Sequence, residues 1–525
     1  MAQMLRLAVK IVLLVELVFF VQSKVTRQKR HIAKPNIILL LADDMGYGDL
    51  ASYGHPTQEY GPVDYMAQNG LKFMQAYSSD SVCSPSRAAL LTGRLPVRTG
   101  VWGEGHRVFL PWLTTGLPRE EITIAEALQG LGYTTGMVGK WHLGINKYNH
   151  SDGYHLPTHH GFDFVGHIIP FGGSYSCDNS GRYGDTPDPG KCFLYYGDDI
   201  VQQPYYQENL TVSFVNDITG FLRANKDNPF FFYFAMMHPH APLFSSAQFK
   251  GSSRRGRYGD NINELGWAVG SVIEELESLG IDEKTLVIFM SDHGPHLESC
   301  LEGGHQGIFR GYKSNSFEGG YRVPLISYWP GTISPGITHE IFSALDLYGI
   351  FLDLAGGQLP TDKAYDCVNG AEVLLGKEEA SRNFILFYNR DVLFAVRYDN
   401  YKVHFLTQED LTIEQISFQC LPPGYPANGN YFNCNEKNAS LHECITEHDP
   451  PLIFDLDKDP TESWPLDPSE HGQLLDDINE LLVEHRKNLV RGRPLMDDTD
   501  FSVVPCCNVN NGCYCNFPEP EPSKI

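Results

Sequence analysis

Three short apolar segments, each followed at once by acidic or imidazole side chains, place the strongest constraint on how this chain folds. The segments run from Asn36 to Ala42, from Pro229 to Ala235 and from Thr285 to Met290. Unbroken apolar runs of this length are typical of strands buried on both faces of a parallel sheet. Because open α/β sheets bind ligands beyond the carboxyl ends of their strands, the polar residues that follow are expected to share one crevice. The alternative is three unrelated strand exits capped by polar loops.

Helical signals alternate with these strands, which favours an α/β catalytic domain over residues 35–380. Thr123 and Glu126 form a capping box, and Asp260 to Leu279 carries apolar residues at helical spacing. Beyond residue 380, alternating strands and one helix predict a smaller α+β domain over residues 381–525, which ends in a cysteine-rich tail. The predicted fold is therefore α/β, with a large, mostly parallel sheet flanked by helices and a smaller C-terminal α+β domain.

The N-terminus is typical of a secretory signal peptide over residues 1–23. Two basic residues precede an almost wholly apolar run from Ile11 to Val21, which is short for a membrane span. Glu16 interrupts that run and leaves a signal anchor as the alternative. Residues 24–34 are expected to form a linker or propeptide, in which the basic cluster at 27–30 is either a processing site or a solvated patch.

Cysteine content and charge restrict the compartment and the partners. The chain has 12 cysteines and glycosylation sequons at Asn149, Asn209 and Asn438, which fit the secretory pathway with the lysosome or the extracellular space as destination. Its net charge of −24 disfavours nucleic acid and anionic membranes as partners. No later segment is apolar enough for a stable membrane span.

The tail cysteines favour disulfide bonds over a zinc site, because no histidine lies near them and their spacing differs from that of zinc ribbons. These cysteines are Cys506, Cys507, Cys513 and Cys515. Without Cys83 an odd number of cysteines remains, so at least one further thiol is free or pairs between chains. An oligomer is therefore possible.

Cys83 lies where a helix is predicted to begin. Pro85 suits a first helical turn, the residues that follow are good helix formers, and Gly93 is a suitable stop. The free amides and dipole at a helix N-terminus favour an anion, and Arg87 follows one turn later. A thiol in this position should have a lowered pKa. From these residues alone, a nucleophilic cysteine and a structural cysteine both remain open.

Two motifs resemble the signatures of the sulfatase family. Cys83-x-Pro85-x-Arg87 followed by Thr92-Gly93 is similar to the first signature, whose cysteine is oxidised during secretion to formylglycine. The run from Gly132 to His142 is similar to the second signature. The resemblance covers nearly all of residues 35–515 and implies the alkaline-phosphatase-like fold of that family.

Within the family, the chain resembles the animal arylsulfatases. Thr135 to Gly144 and Phe394 to Thr407 resemble arylsulfatase A, whereas Leu243 to Ser246 and the tail cysteines resemble steroid sulfatase. The long apolar hairpin of steroid sulfatase is missing between Cys192 and Asp199, so its membrane residence is not carried over.

The resemblance implies hydrolysis of sulfate esters with one bound calcium ion and with a formylglycine-generating enzyme as a partner during secretion. A hydrated aldehyde made from Cys83 offers one hydroxyl to attack sulfur and another whose collapse later expels sulfate. His142 would take the proton in that collapse. Arg87, Lys140 and Lys313 would hold the sulfate and offset its charge.

The family pattern also implies a metal site and an acid for the leaving alcohol. The implied metal ligands are Asp43, Asp44, Cys83, Asp292 and His293. Three carboxylates suit calcium, with magnesium as the alternative metal, whereas imidazole is a soft ligand for calcium. His240 would protonate the leaving alcohol together with Lys313, and His238 is the weaker rival for that role.

Two further residues could contact the substrate. His404 resembles a substrate-proximal histidine of arylsulfatase A, but its alternation with apolar neighbours equally fits a structural role on a strand. Ser174 is a candidate contact for the sulfate. The substrate is expected to be a sulfate-ester small molecule or a sulfated glycan. The alternatives are a phosphoester or phosphonate hydrolase of the same superfamily and an inactive matrix protein that binds sulfated glycans.

Overall fold

A ten-stranded sheet forms the centre of the chain in this computed structural model, which describes residues 34–172, 192–203, 205–368, 370–377, 382–408 and 445–505. Its strands, in chain order, are β1 Asn36–Ala42, β2 Leu71–Tyr77, β3 Thr134–Lys140, β4 Phe164–Ile169, β5 Leu194–Tyr196, β6 Asp199–Gln202, β7 Phe230–Ala235, β8 Thr285–Ser291, β9 Arg322–Tyr328 and β10 Gly336–Ser343. The three apolar segments singled out in the sequence are thus β1, β7 and β8.

The strand order is β10-β2-β9-β8-β1-β7-β3-β4-β5-β6. The central strands β8, β1, β7, β3 and β4 run parallel to their neighbours within this group. Strand β9 is antiparallel to both β2 and β8, and β5 is antiparallel to both β4 and β6. The sheet is therefore mixed, with a parallel centre that fits the expected burial on both faces: every residue of β1, β7 and β8 is buried.

Helices flank this sheet in two packing groups. The helices described are α1 Pro62–Asn69, α2 Cys83–Thr92, α3 Pro96–Thr99, α4 Ile124–Gly130, α5 Leu210–Asn225, α6 Arg257–Leu279, α7 Glu318–Tyr321, α8 Asp346–Leu354, α9 Ala371–Leu374 and α10 Gly472–Lys487. One group joins α6 to α1 and α5, and the other joins α8 to α2 and α4. The predicted capping box is confirmed, since Thr123 Oγ1 accepts from the Glu126 amide at the start of α4.

A second, antiparallel sheet of four strands follows the first. Its strands are β11 Phe384–Asn389, β12 Val392–Tyr398, β13 Tyr401–Gln408 and β14 Ile445–Asp455, in that order. The predicted α/β fold with a smaller α+β region is thereby confirmed. The boundary at residue 380 and the division of residues 1–34 stay predictions.

Buried aromatic and charged side chains join the two sheets. Phe387 of β11 packs edge-on against Tyr77 of β2. Nearby, the Lys402 ammonium lies 3.0 Å from a Glu318 oxygen and 3.4 Å from a Glu462 oxygen, and all three side chains are fully buried. Because a buried charge that loses its partner is strongly destabilising, this cluster opposes separation of the small sheet from the large one.

Within the described residues, no helix combines the length and the apolar character required to cross a lipid bilayer.

Candidate active site

The carboxyl ends of β1, β7 and β8 meet at one edge of the large sheet. The Asp43 amide donates to the His238 carbonyl oxygen at 3.1 Å, which links the ends of β1 and β7. The Asp44 amide donates to Asp292 Oδ1 at 3.1 Å, which links β1 to β8. Asp44 adopts a left-handed conformation, with φ of 61°, that turns the chain sharply at the sheet edge. The residues that follow the three strands therefore lie together at this edge of the sheet, where the sequence predicted a crevice.

Cys83 is the first residue of α2, as expected, and its side chain points into this crevice. Val82 precedes it in extended conformation, and Gly93 ends the helix with φ of 66°. The thiol is 1% exposed, with Sγ 3.2 Å from His293 Nε2 and 3.8 Å from Asp43 Oδ1. Burial disfavours a thiolate, but Lys140, Lys313 and His293 outweigh burial and hold the Cys83 pKa well below its ordinary value. This position therefore favours a negatively charged group.

Arg87 connects two of the carboxylates beneath Cys83. Its guanidinium donates to Asp292 Oδ2 at 3.1 and 2.8 Å and to the Lys140 carbonyl oxygen at 3.1 Å. The Lys140 ammonium lies 2.5 Å from Asp43 Oδ2. Burial raises the pKa of Asp43, but Lys140, His240 and Arg87 together lower it below its ordinary value. Asp43 is therefore ionised.

Asp292 and His293, at the end of β8, shift each other's pKa. Burial raises the Asp292 pKa to about 6, in spite of the opposing effect of His293 and Arg87. Burial lowers the His293 pKa, but Asp292, Cys83 and Asp44 reverse this and raise it to about 9. The neighbouring anions therefore favour the protonated form of His293.

Lys313 and His240 lie on the Asp44 side of the crevice. The Lys313 ammonium contacts both Asp44 oxygens, at 2.7 and 2.8 Å, and lies 3.5 Å from His240 Nε2. Burial lowers the Lys313 pKa, but Asp44 and the other anions outweigh it and raise the pKa above its ordinary value. His240 Nδ1 donates to the Ala241 carbonyl oxygen, which leaves Nε2 to face Lys313. The two side chains therefore lie next to each other on the Asp44 side of the site.

His142 is held as a neutral base. Its Nε2 lies 3.1 Å from the Phe109 carbonyl oxygen and must carry the hydrogen, because a carbonyl only accepts. The other ring nitrogen, Nδ1, is buried and has no hydrogen-bond partner in the described structure. Burial, together with Lys140, lowers the His142 pKa to about 4, while the nearby Cys83 opposes this shift. Ser84 Oγ donates to the His142 carbonyl oxygen at 2.8 Å and so fixes the residue beside α2.

The donor atoms at the sheet edge are close enough together to hold a metal ion. One ligand atom from each of Asp43, Asp44, Cys83 and His293 lies within 4.8 Å of the others. Asp292 Oδ1 is 3.7 Å from His293 Nε2 and so borders this group. His293 Nδ1 donates to the Gly294 carbonyl oxygen at 2.9 Å, which directs the Nε2 lone pair into the cluster. A metal ion would compete with the His293 proton for that lone pair.

Two of the other predicted residues lie in different surroundings. His238 Nε2 is 3.0 Å from Thr211 Oγ1 and 3.8 Å from Glu264 Oε2, so its side chain belongs to a neighbouring buried cluster. His404 is fully buried, with Nε2 2.7 Å from Glu462 Oε1, in the charged group that joins the sheets. These contacts favour the structural alternative for His404. Ser174 lies outside the described residues.

Sequence reasoning did not select His296 or Asp80. His296 Nδ1 is 3.9 Å from Asp44 Oδ2, and its place four residues after Asp292 in the same strand exit could have identified it. Asp80 is buried three residues before Cys83, and burial raises its pKa to about 7 in spite of the opposing charges of Arg107 and His293. A lone aspartate in a serine-rich segment belongs to no strand exit or motif, so its sequence position does not indicate that it lies near the site.

Comparisons with known proteins agree with this arrangement. The sulfatase family model matches residues 35–357, and the model for the C-terminal region of aryl-sulfatase matches residues 380–515. An arylsulfatase of Hemicentrotus pulcherrimus is 51% identical over 93% of this chain and 87% of its own length. Human arylsulfatase A is 39% identical over 82% of this chain and 83% of its own length.

Among solved structures, a sulfatase from Pseudoalteromonas sp., PsFucS1, superposes with a TM-score of 0.71 at 24% identity. The match covers 89% of this chain and 92% of that chain, and at this identity it supports the fold alone. The family matches and the arylsulfatase identities together establish that the chain belongs to the sulfatase family, among the animal arylsulfatases, and is a sulfuric ester hydrolase.

Proposed function

We propose that this enzyme cleaves sulfate esters at the Cys83 cluster, through a formylglycine made from Cys83 and with one calcium ion. The observation that carries the proposal is the position of Cys83 Sγ, which is buried at a helix start within 3.8 Å of both a carboxylate oxygen and an imidazole nitrogen. Lys140 and Lys313 act on the same point electrostatically. A sulfate group carried to this point would meet two ammonium groups.

The calcium ion would be held by Asp43, Asp44, Asp292 and His293, together with the residue at position 83. Carboxylate oxygens are the ligands that calcium prefers, and these three come from the ends of two neighbouring strands. Calcium would supply Lewis-acid activation, and the hydrated formylglycine would supply a hydroxyl nucleophile. Arg87 would orient this ligand set, because its guanidinium donates to Asp292 and to the Lys140 carbonyl oxygen.

The remaining side chains divide into one base and one acid pair. His142 would accept the proton during sulfate release, because its Nδ1 lone pair is available and its pKa of about 4 keeps the ring neutral above that pH. Lys313 and His240 would protonate the leaving alcohol, since the ammonium carries the proton and lies 3.5 Å from His240 Nε2. Lys140, His240 and Lys313 would bind the sulfate, and a substrate-binding role for His404 is the less favoured reading.

The test is mass spectrometry of the peptide from Ser81 to Arg87, combined with activity on an aryl sulfate. We expect the thiol to be replaced by an aldehyde in active protein, and Cys83→Ala to abolish turnover. Cys367→Ala is the matched control, because Cys367 is likewise a buried free thiol in the described structure. An unmodified Cys83 thiol in fully active enzyme would refute the mechanism.

The metal has a separate test. Dialysis against a chelator should remove one calcium ion per chain, measured by elemental analysis, and returning calcium should restore turnover. Asp44→Asn should bind less calcium than wild type in the same measurement. A chain that retains magnesium instead, or that is active without any divalent ion, would contradict the assignment.

The proposed substrates are small sulfate esters or sulfated glycans, reached through the secretory pathway in a lysosome or outside the cell. Matched aryl sulfate and aryl phosphate substrates separate this proposal from phosphoester hydrolysis, which faster phosphate turnover would favour. A purified protein that binds sulfated glycans but cleaves no sulfate ester would support the inactive alternative.

A further inference from the structure

The turn that presents Lys313 is held in an unfavourable conformation. Ser314, the next residue, has a backbone φ of 82°. Residues other than glycine adopt this left-handed conformation only at a cost of about 1–3 kcal/mol. Such a turn persists only where its surroundings determine it. The Lys313 amide donates to the Pro295 carbonyl oxygen, and the Ser314 amide donates to the Ser81 carbonyl oxygen, each at 2.9 Å.

Arg107 holds the other side of this turn. Its two terminal nitrogens, Nη1 and Nη2, lie 3.4 and 3.3 Å from the Ser314 carbonyl oxygen. Nη2 also donates to Asn389 Oδ1 at 2.9 Å. Asn389 is the last residue of β11, so the guanidinium connects the turn to the small antiparallel sheet.

We propose that Arg107 is a positioning residue, which fixes the Ser314 carbonyl and thereby directs the Lys313 ammonium towards the leaving alcohol. The inference rests on the proposed function, in which Lys313 and His240 act as the acid pair. Asn389 would assist Arg107 from the small sheet. Arg107 itself would not contact the substrate.

The chemistry of bond cleavage gives this role a distinct signature. When the bond between sulfur and the alcohol oxygen breaks, its electron pair stays on that oxygen, which takes a proton from the acid pair. A 4-nitrophenolate leaves readily without a proton, whereas phenolate is more basic and depends on protonation. An ill-positioned Lys313 should therefore slow phenyl sulfate far more than 4-nitrophenyl sulfate. A purely structural role would slow both substrates equally.

The experiment measures kcat/KM of Arg107→Met, Lys313→Met and wild type on both substrates. Because a misplacement of about 1 Å costs up to a hundredfold in rate, Arg107→Met should lose roughly tenfold more on phenyl sulfate than on 4-nitrophenyl sulfate. Lys313→Met should show the same asymmetry or a larger one. Arg119→Met is the matched control, since Arg119 also donates to a backbone carbonyl oxygen, that of Tyr154, but on the exposed surface.

A second variant keeps the inference testable if Arg107→Met folds poorly. Asn389→Ala retains the arginine and should show a weaker asymmetry of the same sign. Equal losses on both substrates in the Arg107 and Asn389 variants, with the Lys313 asymmetry present, would overturn the positioning role alone. An active wild type whose Lys313→Met variant shows no asymmetry would overturn the acid assignment and, with it, this inference. Wild-type protein that is inactive on both sulfate esters would contradict the proposed function itself.

Discussion

Replacing His160 by leucine should remove a measurable part of the protein's sensitivity to mild acid. His160 is fully buried, its ring lies 5.5 Å from that of Trp141, and neither ring nitrogen has a hydrogen-bond partner in the described structure. Burial, aided by the charges of His155 and Arg119, lowers its pKa to about 3. Leucine has a similar size and leaves no polar atom unpaired.

The magnitude follows from proton linkage. In the unfolded chain the histidine has its ordinary pKa of about 6.5, so the native state holds it neutral where the unfolded state binds a proton. This contribution to stability is complete above about pH 6.5 and is lost as the pH falls below that value. At pH 5 the loss is about 2 kcal/mol, and it hardly depends on the native pKa as long as that pKa lies well below 5.

Urea unfolding at pH 7.5 and pH 5, followed by tryptophan fluorescence, measures this difference. In His160→Leu the drop in unfolding free energy between the two pH values should be smaller than in wild type by about 2 kcal/mol. His159→Leu is the matched control, because this adjacent ring is exposed to water in the folded chain. The same drop in wild type and His160→Leu would refute the reasoning.

Four further variants test other buried groups. Arg87→Gln leaves the buried Asp292 carboxylate without its guanidinium partner and should lower the unfolding free energy by about 3–5 kcal/mol in urea titrations. A change within about 1 kcal/mol would contradict the pairing. Lys402→Met should cost a similar amount, measured in the same way, because two buried glutamates lose their common cation; unchanged stability would show that the cluster does not join the sheets. His240→Gln should lower kcat/KM on phenyl sulfate by roughly a hundredfold through loss of acid catalysis. His238→Gln should lower the unfolding midpoint and leave kcat within about twofold of wild type. The reverse pattern would exchange the roles of the two histidines.

Local sequence signals predicted the elements that form the crevice. The apolar runs became β1, β7 and β8 with nearly the expected bounds, because a strand buried on both faces has no polar position to obscure the pattern. The start of α2 at Cys83 followed from Pro85 and Gly93, which act within one or two turns. Such signals act between residues that are close along the chain, so they can be read from the sequence alone.

Features that depend on distant partners could not be predicted in this way. Strand β9 is as fully buried as its neighbour β8 yet runs antiparallel to it, because strand direction depends on the connections and not on burial. The pairing of His404 with Glu462 joins residues 58 positions apart, and the contact between Arg107 and Asn389 joins residues 282 positions apart. For His238 and His240, two positions apart, no local pattern of residues indicates which ring faces Lys313.

If Cys83 becomes a formylglycine as proposed, its burial sets an order of events during biosynthesis. Once β1, β8 and α2 have come together, the thiol is 1% exposed, and no oxidising enzyme can reach it. If conversion proceeds as proposed, it must occur on a chain whose sheet edge is still open. Conversion of Cys83 and folding of the chain then compete in time. A variant that folds faster would leave a larger share of molecules unconverted and permanently inactive, however stable they are.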